Sequence, residues 1–352
     1  MVSVEIINFV FPNREVIVTS DSPNRMWTFH TIYHPKIWGG RLIADLKGIE
    51  PPYEAVGESW ELSALPGMVS VVKSEADKGM TLDSLVGRMG ARLLGKINHE
   101  KYGEQFPLLI KFIDAASDLS VQVHPDDRMA AEEGLTNGKT ELWYIVSTRP
   151  GARIANGFQH PIEPESYNAL LESGEIEDTL RYIQTDAGMT FFIPAGRVHA
   201  IGGGNLICEI QQTSDTTYRL YDYQRRDAQG CLRELHTEKA FRALDFSDCG
   251  GDRLQPEVIN DVEKLIVDDS KFSVRMIETK SRLSRDYSDL DSFVVLIAIK
   301  GDVTLLQHDS SDDTGIKTLV LREGEAALVA AVTEEITIEP SGDSILLETY
   351  IR

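Results

Sequence analysis

Hydrophobic and polar positions alternate over short spans along most of this 352-residue chain. Apolar runs rich in β-branched and aromatic residues occur at 69–72, 108–112, 119–123, 142–146, 190–193, 206–210 and 293–299. Gly, Pro, Asn and Asp separate them. Short runs punctuated by turn residues predict strands. Their number predicts a mainly β protein of sandwich or barrel type. Three stretches carry a helical period instead. Over 81–99, Leu82, Leu85, Val86, Met89, Leu93 and Ile97 recur at three- and four-residue spacing, with Thr81 as a candidate N-cap. Residues 165–182 predict a second helix, broken by Gly174, and residues 237–244 a short third.

Two segments follow one pattern. Gly188 opens an apolar strand, His199 stands eleven residues on, and a glycine turn leads to a strand ending in Glu209. Gly324 opens a similar strand, Glu335 stands eleven residues on, and a second turn leads to a strand ending in Glu348. A duplicated β-barrel unit would read this way, with Glu335 where the first copy has His199. The composition shifts near 248–257; all four tryptophans precede it. The expected division is 1–250, a catalytic part with inserted helices, and 251–352, a β part without metal.

The charge narrows the function classes. The chain has 56 acidic and 35 basic residues, a formal charge of −21. Sequence-nonspecific nucleic-acid binding and docking on anionic membranes both need the opposite sign. Three cysteines without a CxxC support neither a disulfide framework nor a thiolate zinc knuckle, and fit a reducing compartment. The first 16 residues lack the basic and apolar regions of a secretory leader. No stretch reaches the roughly 20 apolar residues of a membrane span. A cytoplasmic protein is expected.

The candidate chemistry lies on strand faces. Ser120, Gln122 and His124 alternate with Val121 and Val123, so a polar stripe backs an apolar one. Lys139 and Glu141 share a face beside another apolar strand. His199 follows an apolar strand and a Pro-Ala-Gly turn. An interior polar stripe is costly unless a metal or a polar ligand pairs with it. Two imidazoles, one carboxylate and one amide oxygen suit zinc with an open position, a set that manganese and cobalt share. The polar cluster between Glu209 and Asp222 reads as a pocket wall. Gly202 to Gly204 match neither the dinucleotide nor the P-loop pattern.

At these residues the sequence resembles the type I phosphomannose isomerases, in their shorter bacterial form. The stretches that carry the resemblance are 37–40 (IWGG), 56–63 (VGESWELS), 108–115 (LLIKFIDA), 119–126, 138–144, 192–200 and 209–223, in family order over roughly residues 34–245. The resemblance implies cupin-type (jelly-roll) β-barrels, two in tandem, and interconversion of mannose 6-phosphate and fructose 6-phosphate through a cis-enediol. It implies one zinc ion per chain, held by Gln122, His124, Glu141 and His199. It places Lys139 and Asp215 in the active site, and Lys111, Ser120 and Arg219 on the substrate phosphate. It makes Glu209 the acid/base carboxylate, favoured over Lys139 as the base. After Arg219 the chain follows the short branch, with Leu220, Tyr221 and Asp222. Two other readings remain open: an iron or manganese cupin with oxygen chemistry, and a non-enzymatic sugar-phosphate-binding cupin.

The acidity is uneven. Residues 251–352 hold 21 acids and 11 bases, whereas residues 1–250 hold 35 and 24. A metal with Lys111, Lys139 and Arg219 would make a positive pocket inside this negative shell.

Overall fold

The computed structural model describes residues 25–226, 230–251, 253–260, 262–308 and 315–352. The N-terminal stretch read above for a leader lies outside them. Among the described residues no helix is long and apolar enough to cross a membrane. The chain is mainly β, built of antiparallel strands in several sheets.

Four sheets form two units. In the first, one sheet runs in the order Thr190–Ile193, Glu141–Thr148, Asn205–Gln212, Leu108–Ala115, Glu58–Leu62, Ile32–His34. The sheet packed against it runs Leu180–Gln184, Arg153–Phe158, His199–Ile201, Val121–Val123, Tyr218–Tyr221. In the second unit, one sheet contains Ala326–Val329, Val294–Lys300, Ser344–Tyr350, Ser273–Thr279 and Glu263–Asp268 in that order. Its companion runs Leu283–Asp286, Glu335–Pro340, Val303–His308, Ile316–Leu321. Matched strand by strand, the nine strands given for the second unit follow the order of nine in the first. The two segments that looked alike in sequence occupy matching places in it. The N-terminal strand Met26–Thr28 joins the second unit's sheet beside Ala326–Val329. No closed barrel is found among the described residues.

Period-two burial explains the layers. Leu108, Ile110 and Phe112 point outward from the first unit's large sheet, as do Leu142, Tyr144, Cys208 and Ile210. They share one apolar core with Leu82, Leu85, Leu93 and Leu94 of the helices and with Val274, Val295, Ile297 and Leu347 of the second unit. The intervening residues Ile113, Trp143, Ile145 and Ile207 point inward and meet Ile154 and Ile201 of the smaller sheet. A sheet buried on both faces needs near-continuous apolar sequence, which is why these strands read as unbroken runs. On the smaller sheet, Val121 and Val123 face a separate core with Tyr167 and Leu244. Gln122 therefore faces in.

The helices depart from the periodicity. The single helix expected over 81–99 is three: Leu82–Met89, Ala91–Leu94 and Lys96–Tyr102. Gly90 and Gly95 separate them with φ of 52° and 87°. A Cβ on Gly95 would stand 2.2 Å from the Asp291 carbonyl oxygen, so close backbone approach to the second unit requires glycine there. The helix expected over 165–182 ends at Gly174; after a 3-10 segment, Leu180–Gln184 is a strand. The third expected helix is present as Thr237–Ala243. Two six-residue helices, Leu42–Lys47 and Asp127–Glu132, carry too little sequence to show a period. The second is capped by Asp126, whose carboxylate accepts from the Met129 amide at 2.7 Å.

Candidate active site

Four neighbouring strands aim charge into the first unit. In register, Trp60, Lys111, Glu209 and Trp143 stand side by side across four strands. Directly opposed side chains in a sheet lie close enough to interact, and here they do. Lys111 Nζ lies 2.8 Å from Glu209 Oε1 and 3.9 Å from Glu58 Oε2. The Trp143 indole donates to Glu209 Oε2 at 2.8 Å, and the Trp60 indole donates to Glu58 Oε2 at 2.8 Å. Lys36 Nζ lies 3.1 Å from the other oxygen of Glu58.

Glu141 faces the same interior two residues before Trp143. It meets two imidazoles: Glu141 Oε2 is 3.3 Å from His124 Nε2, and Oε1 is 3.4 Å from His199 Nε2. The two Nε2 atoms are 3.1 Å apart. Each Nδ1 lies 2.9 Å from a backbone carbonyl, that of Thr216 for His124 and that of Arg197 for His199. Those carbonyls accept the Nδ1 protons and leave both Nε2 lone pairs turned to the interior, where that of His124 meets the Lys139 ammonium at 3.0 Å as well as His199 Nε2. Both Glu141 oxygens are buried without a hydrogen-bond partner, although Lys139 Nζ stands 3.1 Å from Oε2. Converging acceptors repel unless a cation lies between them. His124, Glu141 and His199 thus fit a metal, their ligand atoms all within 4.8 Å of one another. Gln122 Nε2 is 3.2 Å from His199 Nε2, and rotating that amide by half a turn offers Oε1 as a fourth donor.

The electrostatics follow from burial. Desolvation and the Lys139 ammonium press His124 down to about 3, and burial lowers His199 as well. Both are neutral near pH 7, the form that binds metal. Burial alone would raise Glu141, but Lys139 and the imidazoles hold it well below the usual carboxylate range. Burial and the charge of Glu141 push Glu209 up, outweighing Lys111 and Lys139. Burial would also raise Glu58, yet Lys111 and Lys36 bring it down to about 2.

A cavity of about 300 Å³ opens beside these groups. Lys111, Ser120, Gln122, Lys139, Glu209, Asp215 and Arg219 all border it. His124, Glu141 and His199 stand in the wall behind Gln122 and Lys139. Arg219 Nε donates to Ser120 Oγ at 3.2 Å, and its Nη1 donates to the Glu234 carbonyl at 2.8 Å. Asp215 is exposed at the rim. All ten residues singled out in the sequence therefore gather at one site. Sequence reasoning missed Lys36, Glu58, Trp60, Trp143 and Arg233. Glu58 and Trp60 lay within a quoted stretch, and their i, i+2 spacing signalled a shared face.

Fold and site together define the class: a two-unit β protein with a buried candidate metal centre beside a cation-lined cavity. Residues 26–169 match the phosphomannose isomerase type I catalytic domain. The mannose-6-phosphate isomerase ManA of Bacillus subtilis is 42% identical over 218 residues, 62% of this chain and 67% of that protein. YvyI of the same organism is 34% identical over 325 residues, 91% of this chain and 97% of that protein. The solved mannose 6-phosphate isomerase structure from Bacillus subtilis has a TM-score of 0.81 and 32% identity, covering 93% of this chain and all of that one. The chain belongs to the type I phosphomannose isomerase family and is an isomerase of that family.

Proposed function

We propose that this protein interconverts mannose 6-phosphate and fructose 6-phosphate in the cavity of its first unit, as a zinc-dependent enzyme of the cytoplasm. One observation carries the reading. A buried carboxylate with a raised pKa and the Arg219–Ser120 pair border a single cavity of hexose-phosphate size, and the two-histidine, one-carboxylate cluster stands directly behind its Gln122 and Lys139 wall.

Gln122, His124, Glu141 and His199 are the proposed zinc ligands. The bound ion supplies Lewis acidity to the sugar's carbonyl and hydroxyl oxygens. Glu209 takes the proton from C2 of the open-chain aldose and returns it to C1 of the cis-enediol while the hydroxyl proton passes from O2 to O1, and the reverse for the ketose. Its raised pKa brings base strength closer to neutral pH. The Lys111 ammonium and Trp143 indole hold the two Glu209 oxygens, fixing the carboxylate's angle. Lys139 supplies a fixed positive charge to a substrate oxygen, and Asp215 contacts the sugar at the rim. Ser120, Arg219 and Lys111 take the phosphate end. Arginine offers a planar fork to the phosphate oxygens. That remote binding energy holds C1 and C2 against Glu209.

The repeated strand order supports a jelly roll of cupin type for each unit, since a jelly roll pairs two four-stranded sheets. On this reading 1–250 is the catalytic part and 251–352 a β part without metal. A hexose phosphate is the only partner the site calls for; neither nucleic acid nor membrane suits a net charge of −21.

The test is to incubate the zinc-loaded protein with mannose 6-phosphate in deuterium oxide. The expected result is fructose 6-phosphate together with solvent deuterium at the transferred position. A protein that binds the sugar phosphate yet yields no ketose and no exchange is a binding module instead.

A further inference from the structure

The cations around the cavity are not equivalent. Each lysine is matched by a carboxylate: Lys36 by Glu58 at 3.1 Å, Lys111 by Glu209 at 2.8 Å and Lys139 by Glu141 at 3.1 Å. The arginines have a surplus. Arg219 is hydrogen-bonded to two neutral oxygens. Arg233 also borders the cavity, and its Nη1 lies 3.3 Å from Asp222 Oδ1. Arg225 shares that same oxygen. Two guanidiniums therefore share one carboxylate, and Arg219 beside them bonds only neutral oxygens, so this stretch of the wall carries an excess of positive charge that suits a phosphate.

The chain brings these groups together by a return path. The His236 amide donates to the Arg219 carbonyl at 2.8 Å, and the Arg219 amide donates to His236 Nδ1 at 3.3 Å. Residues 233–236 are thereby laid alongside Arg219. The turn leading away from Arg219 is strained: Tyr223 and Gln224 have φ of 54° and 53°. Consecutive non-glycine residues in this region are costly and persist where surrounding structure enforces them. Here Asp222 enforces it, through its pairing with Arg225 and Arg233. Arg233 keeps its charge beside Arg219 at some cost, since burial and then the Arg233 charge lower the Arg219 pKa. Two like charges held together in a half-buried wall call for an anion between them.

We propose that Arg233 is a second phosphate-binding arginine, which with Arg219 clamps the 6-phosphate and selects phosphorylated over free hexoses. The proposal rests on the isomerase reading and names a specificity residue for it. Lys111, already paired with Glu209 and Glu58, then serves the reacting end more than the phosphate.

The test compares wild type with R233M, which keeps the aliphatic stem, and with R233K, which keeps the charge but loses the fork. The readouts are KM and kcat for mannose 6-phosphate, competitive inhibition by inorganic phosphate, and the unfolding midpoint. A charge-assisted hydrogen bond to phosphate predicts that R233M raises both KM and the phosphate Ki by roughly 10-fold or more, with kcat within about 3-fold. R233K should fall between R233M and wild type. Should R233M not fold, R233K alone decides, and unchanged KM and Ki overturn the proposal. A folded R233M with unchanged KM and Ki, or with a loss in kcat alone, also overturns it. If wild type binds phosphate but does not isomerise the sugar, the function reading falls, and the dissociation constant of inorganic phosphate by calorimetry, compared between wild type and R233M, still tests Arg233.

Discussion

The two units place matching charges at matching register positions, and only one of them keeps those charges open. Lys111 opposes Glu209 in the first unit, with Trp60 and Trp143 flanking. In the second, Arg275 opposes Glu348, with Leu265 and Leu296 flanking. The difference comes from the opposite sheet. In the first unit it contributes Gln122 and His199, and His124 just beyond, all lone-pair donors. In the second it contributes Arg285, whose guanidinium grips Glu348 at 3.0 and 2.8 Å while Tyr287 donates to the same carboxylate at 2.8 Å. Three donors, two of them on one guanidinium, lock the Glu348 carboxylate into a closed ion pair. One scaffold thus yields a reactive interior or a closed one, according to whether the facing sheet brings ligands or a counter-ion.

Breaking the open side should have the largest effect. Glu209→Gln keeps the shape and the Trp143 hydrogen bond but removes the proton acceptor. Turnover should fall by about 100-fold or more, with metal content unchanged. Near-normal kcat in that variant would return the base role to Lys139. Breaking the closed side should act on stability instead. Arg285→Met leaves Glu348 buried without its cation, a loss of roughly 3–5 kcal/mol by urea denaturation. The kinetics of the molecules that remain folded should match wild type. Adding Glu348→Leu should recover most of that stability, because an apolar pair often replaces a buried ion pair without loss. A double variant as unstable as the single one would mean that the groups left behind, the Tyr287 hydroxyl without its acceptor and Glu263 without the Arg285 cation, cost as much as the lost pair.

How much of this was legible in the sequence depends on which force placed each residue. Gln122 and Glu141 lie on strands and His124 one residue past the end of one, so period two sets their face, and the resemblance supplied their grouping. His199, which its strand and turn alone would read as a core histidine, gained its role only from the grouping. The Trp143–Glu209 bond was not legible, since it depends on the register between Glu141–Thr148 and Asn205–Gln212, which no single strand encodes. The breaks at Gly90 and Gly95 were hidden because the apolar period continues through them. Tertiary contact with Asp291, not propensity, fixes the second break. Arg233 was hidden for a similar reason: it reaches Arg219 only through a loop return sealed by His236.

The central claim is that the first unit's open interior is a metal centre on which isomerisation depends. The most direct measurement is metal content beside mannose 6-phosphate isomerase activity, for wild type and His124→Ala, before chelation, after it and after zinc is restored. The account predicts one zinc per chain in wild type, activity lost on chelation and regained with zinc, and a His124→Ala variant that is folded but empty. Full activity in metal-free wild type, or an unchanged zinc stoichiometry in His124→Ala, would contradict it.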